Sequence, residues 1–353
     1  MIRPGRLSTA GLELTLACPC RCETCGSGGG TARPDELDPG EMLAVVGELS
    51  RLGCRRLTFS GGEPLLRPDW PVLAREASRL GMAVDMITSG IGLDEKCAGE
   101  LRRAGLVSVT VSVDGTGEAH DRLRGVSGGF GRALEALRRL DEAGLRAGVS
   151  TQVNRLSLPL LEGLAPLLEE AGATGWQLQL TMPTGRGRGR DDIVLPADMM
   201  PEVHRVLRRL IRRRGLRPYV ADNLGYLGRD DPVLRTPAGA AERCWLGCFA
   251  GLRLVGITSS GGVKGCLSLP DDLVEGNVRE EPLEAIWGDP KRFAYNRAFD
   301  SAGLGGACAG CEYGRICRGG CTSLALAVHG RPGISTHCFR LFSTGQGPAE
   351  RRT

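Results

Sequence analysis

"LELTLACPCRCETC", Leu12 to Cys25, begins as an alternating apolar strand and ends as a loop carrying four thiols. Cys18, Cys22 and Cys25 fit the spacing C-x-x-x-C-x-x-C, with Cys20 between the first two. Three thiolates so placed can hold three irons of a 4Fe-4S cube and leave the fourth iron open to an outside ligand. A zinc loop would want four ligands, and Cys20 could supply the fourth. The loop alone leaves both readings open. Its place at the end of a strand decides the fold, because the unit that follows repeats.

Five times a helix-like stretch ends in glycine (Gly53, Gly81, Gly105, Gly144, Gly172) and a β-branched, apolar strand follows. Glycine suits the left-handed position after a helix. The strands read RRLTFS, AVDMITS, VSVTVSV, RAGVSTQV and WQLQL, and LELTLA makes six. Between them, stretches such as RALEALRRLDEAG carry apolar residues at three and four spacing. Asp38, Pro39 and Glu41 supply an N-cap, a first-turn proline and a capping-box glutamate for the first helix. Strands alternating with helices imply an α/β fold with a parallel sheet. Chemistry in such a sheet belongs at the C-terminal strand ends, where the four-thiol loop sits. One strand later stands SGGEP, Ser60 to Pro64. Gly61 and Gly62 allow close backbone approach to a ligand, and Glu63 offers a carboxylate to an ammonium group.

Composition narrows the class. The chain has 353 residues, 41% hydrophobic and 24% charged, with a formal net charge of +4. That balance argues for a globular protein and against a nucleic-acid binder by charge alone. No apolar run is long enough for a membrane span, and no secretory signal is legible, so a cytoplasmic location is expected. Fourteen cysteines in such a chain point to metal rather than disulfides. Eight of them lie between Cys244 and Cys338, while Cys54 and Cys97 stand alone and read as ordinary buried residues.

With the cysteine triplet after the first strand and GGE after the second, the chain resembles the radical S-adenosylmethionine (SAM) enzymes. That resemblance implies a partial (β/α)6 barrel. It further implies a cluster on Cys18, Cys22 and Cys25, whose open iron is chelated by SAM. Gly61, Gly62, Glu63 and Pro64 would then orient the SAM amine, and Cys20 would be a non-ligand. The later elements TSG (Thr88 to Gly90), SVDG (Ser112 to Gly115) and HDRLRG (His120 to Gly125) match the family as well. By analogy Thr88, Ser112 and Arg124 are cofactor contacts, the last two toward the SAM ribose or carboxylate.

Near the C-terminus, Cys308, Cys311, Cys317 and Cys321 follow C-x-x-C-x5-C-x3-C, with Cys248 and Cys266 upstream and Cys338 downstream. This resembles the SPASM auxiliary-cluster domain of peptide-modifying radical SAM enzymes. The resemblance implies two further 4Fe-4S clusters. One would use Cys248, Cys266 and Cys321 with Cys244, the other Cys308, Cys311, Cys317 and Cys338. The expected organisation is a barrel over 10–220, a bridging region over 221–243, a SPASM domain over 244–345 and a flexible tail over 346–353.

The activity so implied is reductive cleavage of SAM to a 5′-deoxyadenosyl radical that abstracts hydrogen from a ribosomally made peptide. The product would be an oxidative crosslink, a thioether or a dehydrogenated residue. Expected partners are the precursor peptide, a flavodoxin- or ferredoxin-type reductant and a separate leader-recognition protein. The arginines over 186–190 and 205–214 could meet an acidic leader. Leu267 occupies the position of the catalytic Asp of sulfatase maturases, which argues against formylglycine formation. A radical SAM dehydrogenase or epimerase of a sugar or amino acid is the alternative, and an iron-sulfur electron carrier without SAM chemistry is a third reading.

Overall fold

The computed structural model describes residues 6–237, 240–241 and 243–343. The tail expected over 346–353 lies outside the described residues. The six strands stand where the repeat places them: β1 (Thr9–Thr15), β2 (Arg56–Gly61), β3 (Ala83–Thr88), β4 (Leu106–Ser112), β5 (Arg146–Val153) and β6 (Gly175–Leu180). They pair in parallel, each with the next. Seven helices accompany them: α1 (Pro39–Arg51), α2 (Trp70–Arg79), α3 (Glu95–Arg103), α4 (Gly117–Arg124), α5 (Gly129–Glu142), α6 (Leu161–Glu170) and α7 (Met200–Arg212). The expected capping box closes α1. The Glu41 N–H donates to Asp38 Oδ1, and the Asp38 N–H donates to Glu41 Oε2, both at 2.8 Å.

Two findings extend the six-strand reading. A short strand, β7 (Pro218–Val220), adds in parallel beside β6. On the other edge β8 (Leu254–Ile257) pairs in parallel with β1, and β9 (Gly262–Lys264) and β10 (Gly276–Asn277) continue antiparallel. The cysteine-rich segment therefore shares one ten-stranded sheet with the strand-helix repeat. Glu13 reinforces the join, because its buried carboxylate accepts from the Ser259 N–H (3.1 Å) and Oγ (2.9 Å) and from Arg33 Nε (3.1 Å).

Period-two alternation gives the sheet two chemically distinct faces. Leu12, Leu14, Leu57, Phe59, Val84, Met86, Val109, Val111, Val149, Trp176 and Leu178 are buried beneath the helices. Each such side chain contributes roughly 1.5–3 kcal/mol by leaving water. The inner face carries Thr58, Ser60, Asp85, Ser108, Thr110, Ser150, Gln177 and Gln179. Its register sets Thr58 beside Asp85 and Ser108, and Ser150 beside Gln177 and Tyr219. Asp85 accepts from Ser108 Oγ at 2.6 Å, and Gln179 Nε2 donates to Ser150 Oγ at 3.4 Å. Ile87 and Leu267, which lies against Gly11 of β1, are apolar exceptions.

Candidate active site

β1 delivers the chain into the cysteine loop, which is closed at its base. Cys18 N–H donates to Gly30 O (3.1 Å), and Gly30 N–H donates to Leu16 O (2.9 Å). Glu36 fastens the strand end by accepting from the Leu16 N–H (2.7 Å), the Arg33 N–H (3.1 Å) and Thr15 Oγ1 (3.1 Å). Inside the loop Cys20 is buried, and its thiol hydrogen-bonds the sulfurs of Cys18 and Cys22. That bonding holds the proton on Cys20, whose thiol is pushed far up. Donation from Cys20 lowers Cys18, and it lowers Cys22 to about 6 with help from the Arg124 guanidinium.

Arg124, at the end of α4, sits at this charge. Its Nη1 lies 3.7 Å from Cys22 Sγ and its Nε 2.9 Å from Asp114 Oδ2. Asp114 is fixed by accepting from the Gln152 N–H (2.7 Å), while its own N–H donates to His120 Nδ1 (3.2 Å). Asp114 stands in the SVDG segment but was given no role by sequence reasoning. Ser112, at the end of β4, is set beside Ser150 of β5.

The glycines of the GGE segment pack directly against the cysteine loop. A Cβ on Gly61 would lie 2.2 Å from Thr15 O, and one on Gly62 would lie 2.1 Å from Ala17 O. The close approach is therefore to the chain's own cysteine loop, and it lets the Gly62 N–H reach Thr15 O (2.8 Å) and the Glu63 N–H reach Ala17 O (2.7 Å). Because the clash is with backbone, Gly62→Ala is expected to lower stability by about 3 kcal/mol or more. A denaturant titration that leaves the midpoint unchanged would contradict this.

Glu63 is fully buried and heavily bonded. It accepts from Thr88 Oγ1 at 2.7 Å, from Ser89 N–H at 2.8 Å, from Ser89 Oγ at 2.5 Å and from Leu65 N–H at 3.3 Å. Thr88, expected as a cofactor contact, donates its hydroxyl to Glu63. Pro64 opens the short turn Pro64–Leu66 that Glu63 caps. Ser89, missed from sequence, makes two of the four contacts. Burial pushes the Glu63 carboxyl above the usual value, against the pull of its donors.

The C-terminal cysteines form two sets. Cys308, Cys311, Cys317 and Cys338 line one cavity of about 30 Å³, together with Tyr226 and Tyr313. Trp245, also missed from sequence, donates its indole N–H to Cys317 Sγ at 3.0 Å. Burial raises Cys308 to about 11 and raises Cys338 as well. In the second set Cys266 and Cys321 are raised by burial, with the nearby Cys248 thiol adding to the rise. Cys244 is exposed. Arg318 lies beside Cys248 and Cys317, one from each set, and its Nε is buried without a partner. A half-buried cation with one unanswered donor, beside thiol groups of both sets, fits anionic centres there. Among the described residues no three His, Cys, Asp or Glu side chains converge as donors to a single metal ion.

Several of the arginines expected to meet an acidic leader also make contacts within the chain. On α7, Arg205 pairs with Glu202, Arg208 with Asp230 (3.3 Å), Arg209 with Glu162 (3.2 Å) and Arg213 with Glu169 (3.1 Å). Arg190 pairs with Glu23 and Asp192, and Arg186 turns onto the cysteine loop. No helix among the described residues is long and apolar enough to cross a membrane.

The chain is similar to known proteins over most of its length. The model of the radical SAM superfamily matches residues 12–155, and that of the SPASM iron-sulfur cluster-binding domain matches 248–312. The AdoMet-dependent heme synthase of Methanosarcina barkeri is 30% identical over 341 residues, covering 90% of this chain and 92% of the relative. Mycofactocin maturase MftC of Mycobacterium ulcerans is 30% identical over 326 residues, covering 88% and 81%. In fold, Streptococcus suis SuiB bound to its precursor peptide SuiA superimposes with a TM-score of 0.75 at 15% identity, covering 95% of this chain and 76% of that one.

Proposed function

The chain belongs to the radical SAM superfamily and carries a C-terminal SPASM domain, and we propose that it is a maturase of a ribosomally made peptide. In this reading Cys18, Cys22 and Cys25 hold the SAM-binding 4Fe-4S cluster. Cys308, Cys311, Cys317 and Cys338 hold one auxiliary cluster, and Cys248, Cys266 and Cys321 hold the other, with Cys244 turning inward as the fourth ligand. When bound, these groups supply one-electron cleavage of SAM to a hydrogen-abstracting 5′-deoxyadenosyl radical and an acceptor for the electron left behind.

The chain's own residues do the rest. Glu63, held by Thr88 and Ser89, presents a carboxylate to the SAM ammonium. Arg124, braced by Asp114, keeps positive charge at Cys22. Leu267 puts hydrocarbon against Gly11 where a sulfatase maturase would hold its base.

The inner face of the sheet carries the substrate reading. Thr58, Ser60, Thr110, Ser150, Gln177 and Gln179 offer neutral donors and acceptors along the wall. A peptide presents an N–H and a C=O at nearly every residue, the groups such a wall can pair. The similarity to heme synthase over nearly its whole length nevertheless favours a second reading, oxidation of a small molecule.

Parallel assays of the reconstituted enzyme with SAM and reductant separate the two. One would contain the short peptide encoded nearest its gene, the other tetrapyrrole precursors of heme. Deoxyadenosine release stimulated by the peptide supports the proposal, and stimulation by the tetrapyrrole alone overturns it. A flavodoxin- or ferredoxin-type reductant and a separate leader-recognition protein complete the proposed assembly.

The raised carboxyl of Glu63 gives a pH prediction. Between the ordinary glutamate value and its raised one, the free protein keeps a proton on Glu63 that SAM's ammonium must displace. SAM affinity should therefore fall as pH drops through this window, by up to about tenfold per unit for one proton. Titration calorimetry in two buffers of different ionisation heat should register that proton. Equal heats in both would contradict the assignment.

A further inference from the structure

A loop that surrounds an anionic cluster must turn N–H groups inward and carbonyls outward, because carbonyl oxygens facing the sulfurs would repel their charge. The inward half is visible at Gly29, whose N–H lies 3.4 Å from Cys25 Sγ. The outward half is held by one residue on another element. In the connection after β6, Arg186 donates from Nε to Cys22 O at 2.7 Å and from Nη1 to Gly29 O at 2.8 Å. Its backbone N–H donates to Cys25 O at 3.0 Å. Three carbonyls of the cysteine loop are thus turned toward Arg186.

The fit around this contact is close. Gly185 has φ +54°, and a Cβ there would stand 2.3 Å from Cys25 O and 2.4 Å from Gly26 O. A Cβ on Gly26 would in turn stand 3.1 Å from Thr184 Oγ1. On its other side the loop is held by α4. The Arg21 N–H donates to Arg124 O (3.1 Å), and the Glu23 N–H donates to Leu123 O (2.9 Å). The grip from α4 engages N–H groups, whereas the grip from Arg186 engages carbonyls.

We infer that Arg186 is the positioning residue that locks the Cys22–Gly29 segment in its cluster-binding shape. It acts through the backbone of the ligand loop and touches no reacting atom. The inference rests on the reading of Cys18, Cys22 and Cys25 as the SAM-binding cluster site. It goes beyond that reading by making the site depend on the connection after β6. A planar guanidinium is required, since two donors in a fixed fork must reach two carbonyls at once.

The test uses the full chain, without and with reconstituted iron and sulfide, as wild type, Arg186→Lys and Arg186→Met. Amide hydrogen exchange is followed over residues 20–30 and over β4 and β5. Electron paramagnetic resonance of the reduced protein is recorded with and without SAM. In Arg186→Met, exchange of the loop amides should rise by about tenfold or more while β4 and β5 stay protected. Its SAM-dependent signal should also broaden or vanish. Arg186→Lys, with one donor group restored, should lie between. Loop exchange and signal unchanged in Arg186→Met would overturn the inference, and so would exchange rising equally throughout the sheet. Failure of the underlying reading looks different: wild type itself would show no SAM-perturbed signal, while the exchange data from the metal-free chain still judge the clasp.

Discussion

Replacing Cys22 by alanine is expected to abolish release of 5′-deoxyadenosine from SAM, with a loss of at least about 10⁴-fold, as for other groups that act as a unit. Cys22 is where several independent features meet. It is buried, its thiol is lowered by the hydrogen bond from Cys20, and the Arg124 guanidinium stands 3.7 Å away. Removing the sulfur takes away a ligand and leaves the Arg124 guanidinium with Asp114 as its main anionic partner. Iron bound per chain should fall by about one cluster, measured against the other two sites. Cys20→Ala is the matched control. Cys20 is off the ligand spacing, so that variant should retain both cluster and SAM cleavage. A Cys20→Ala protein without cluster, beside a Cys22→Ala protein with one, would reverse the assignment.

The second large effect is expected at the far end of the chain. Cys338→Ser should leave SAM cleavage intact and reduce modified product by about 10²-fold, or near 2.7 kcal/mol of barrier. Cys338 lines the cavity of Cys308, Cys311 and Cys317, separate from the SAM-binding loop, so its loss should uncouple deoxyadenosine release from product. The control is Trp245→Phe, which removes only the N–H bonded to Cys317 and should give a milder change. Equal loss of deoxyadenosine and product in Cys338→Ser would mean that the cavity supports folding rather than turnover.

How much of this was legible beforehand follows from the range of each signal. The six strands were readable because glycines at helix ends and β-branched runs are local features, and Gly53 at φ +87° shows the left-handed cap as expected. β7 and β8 were not, since three or four residues carry too little periodicity and their pairing partners are distant in sequence. The cysteine sets were legible as spacing. What holds them was not: Trp245 reaches Cys317 across 72 positions, and Arg186 reaches Cys22 across 164.

The arginine-rich segments were legible only as a charge run. A charge run reads as a solvated face or a docking strip. Here Arg208, Arg209 and Arg213 close ion pairs with residues that no local window contains. GGE was recognised by pattern, but its glycines serve the packing of two loops, a reason visible only once Thr15 and Ala17 lie above them.

The central claim, that this chain modifies a peptide by radical chemistry, is met most directly by one anaerobic turnover in heavy water. Reconstituted protein, SAM, a reductant and the short peptide encoded nearest its gene are incubated together. Deoxyadenosine and peptide mass are then read from the same samples. The account predicts deoxyadenosine in step with a peptide lighter by two hydrogens and free of solvent deuterium. Deoxyadenosine accumulating beside a peptide of unchanged mass and no deuterium would contradict it.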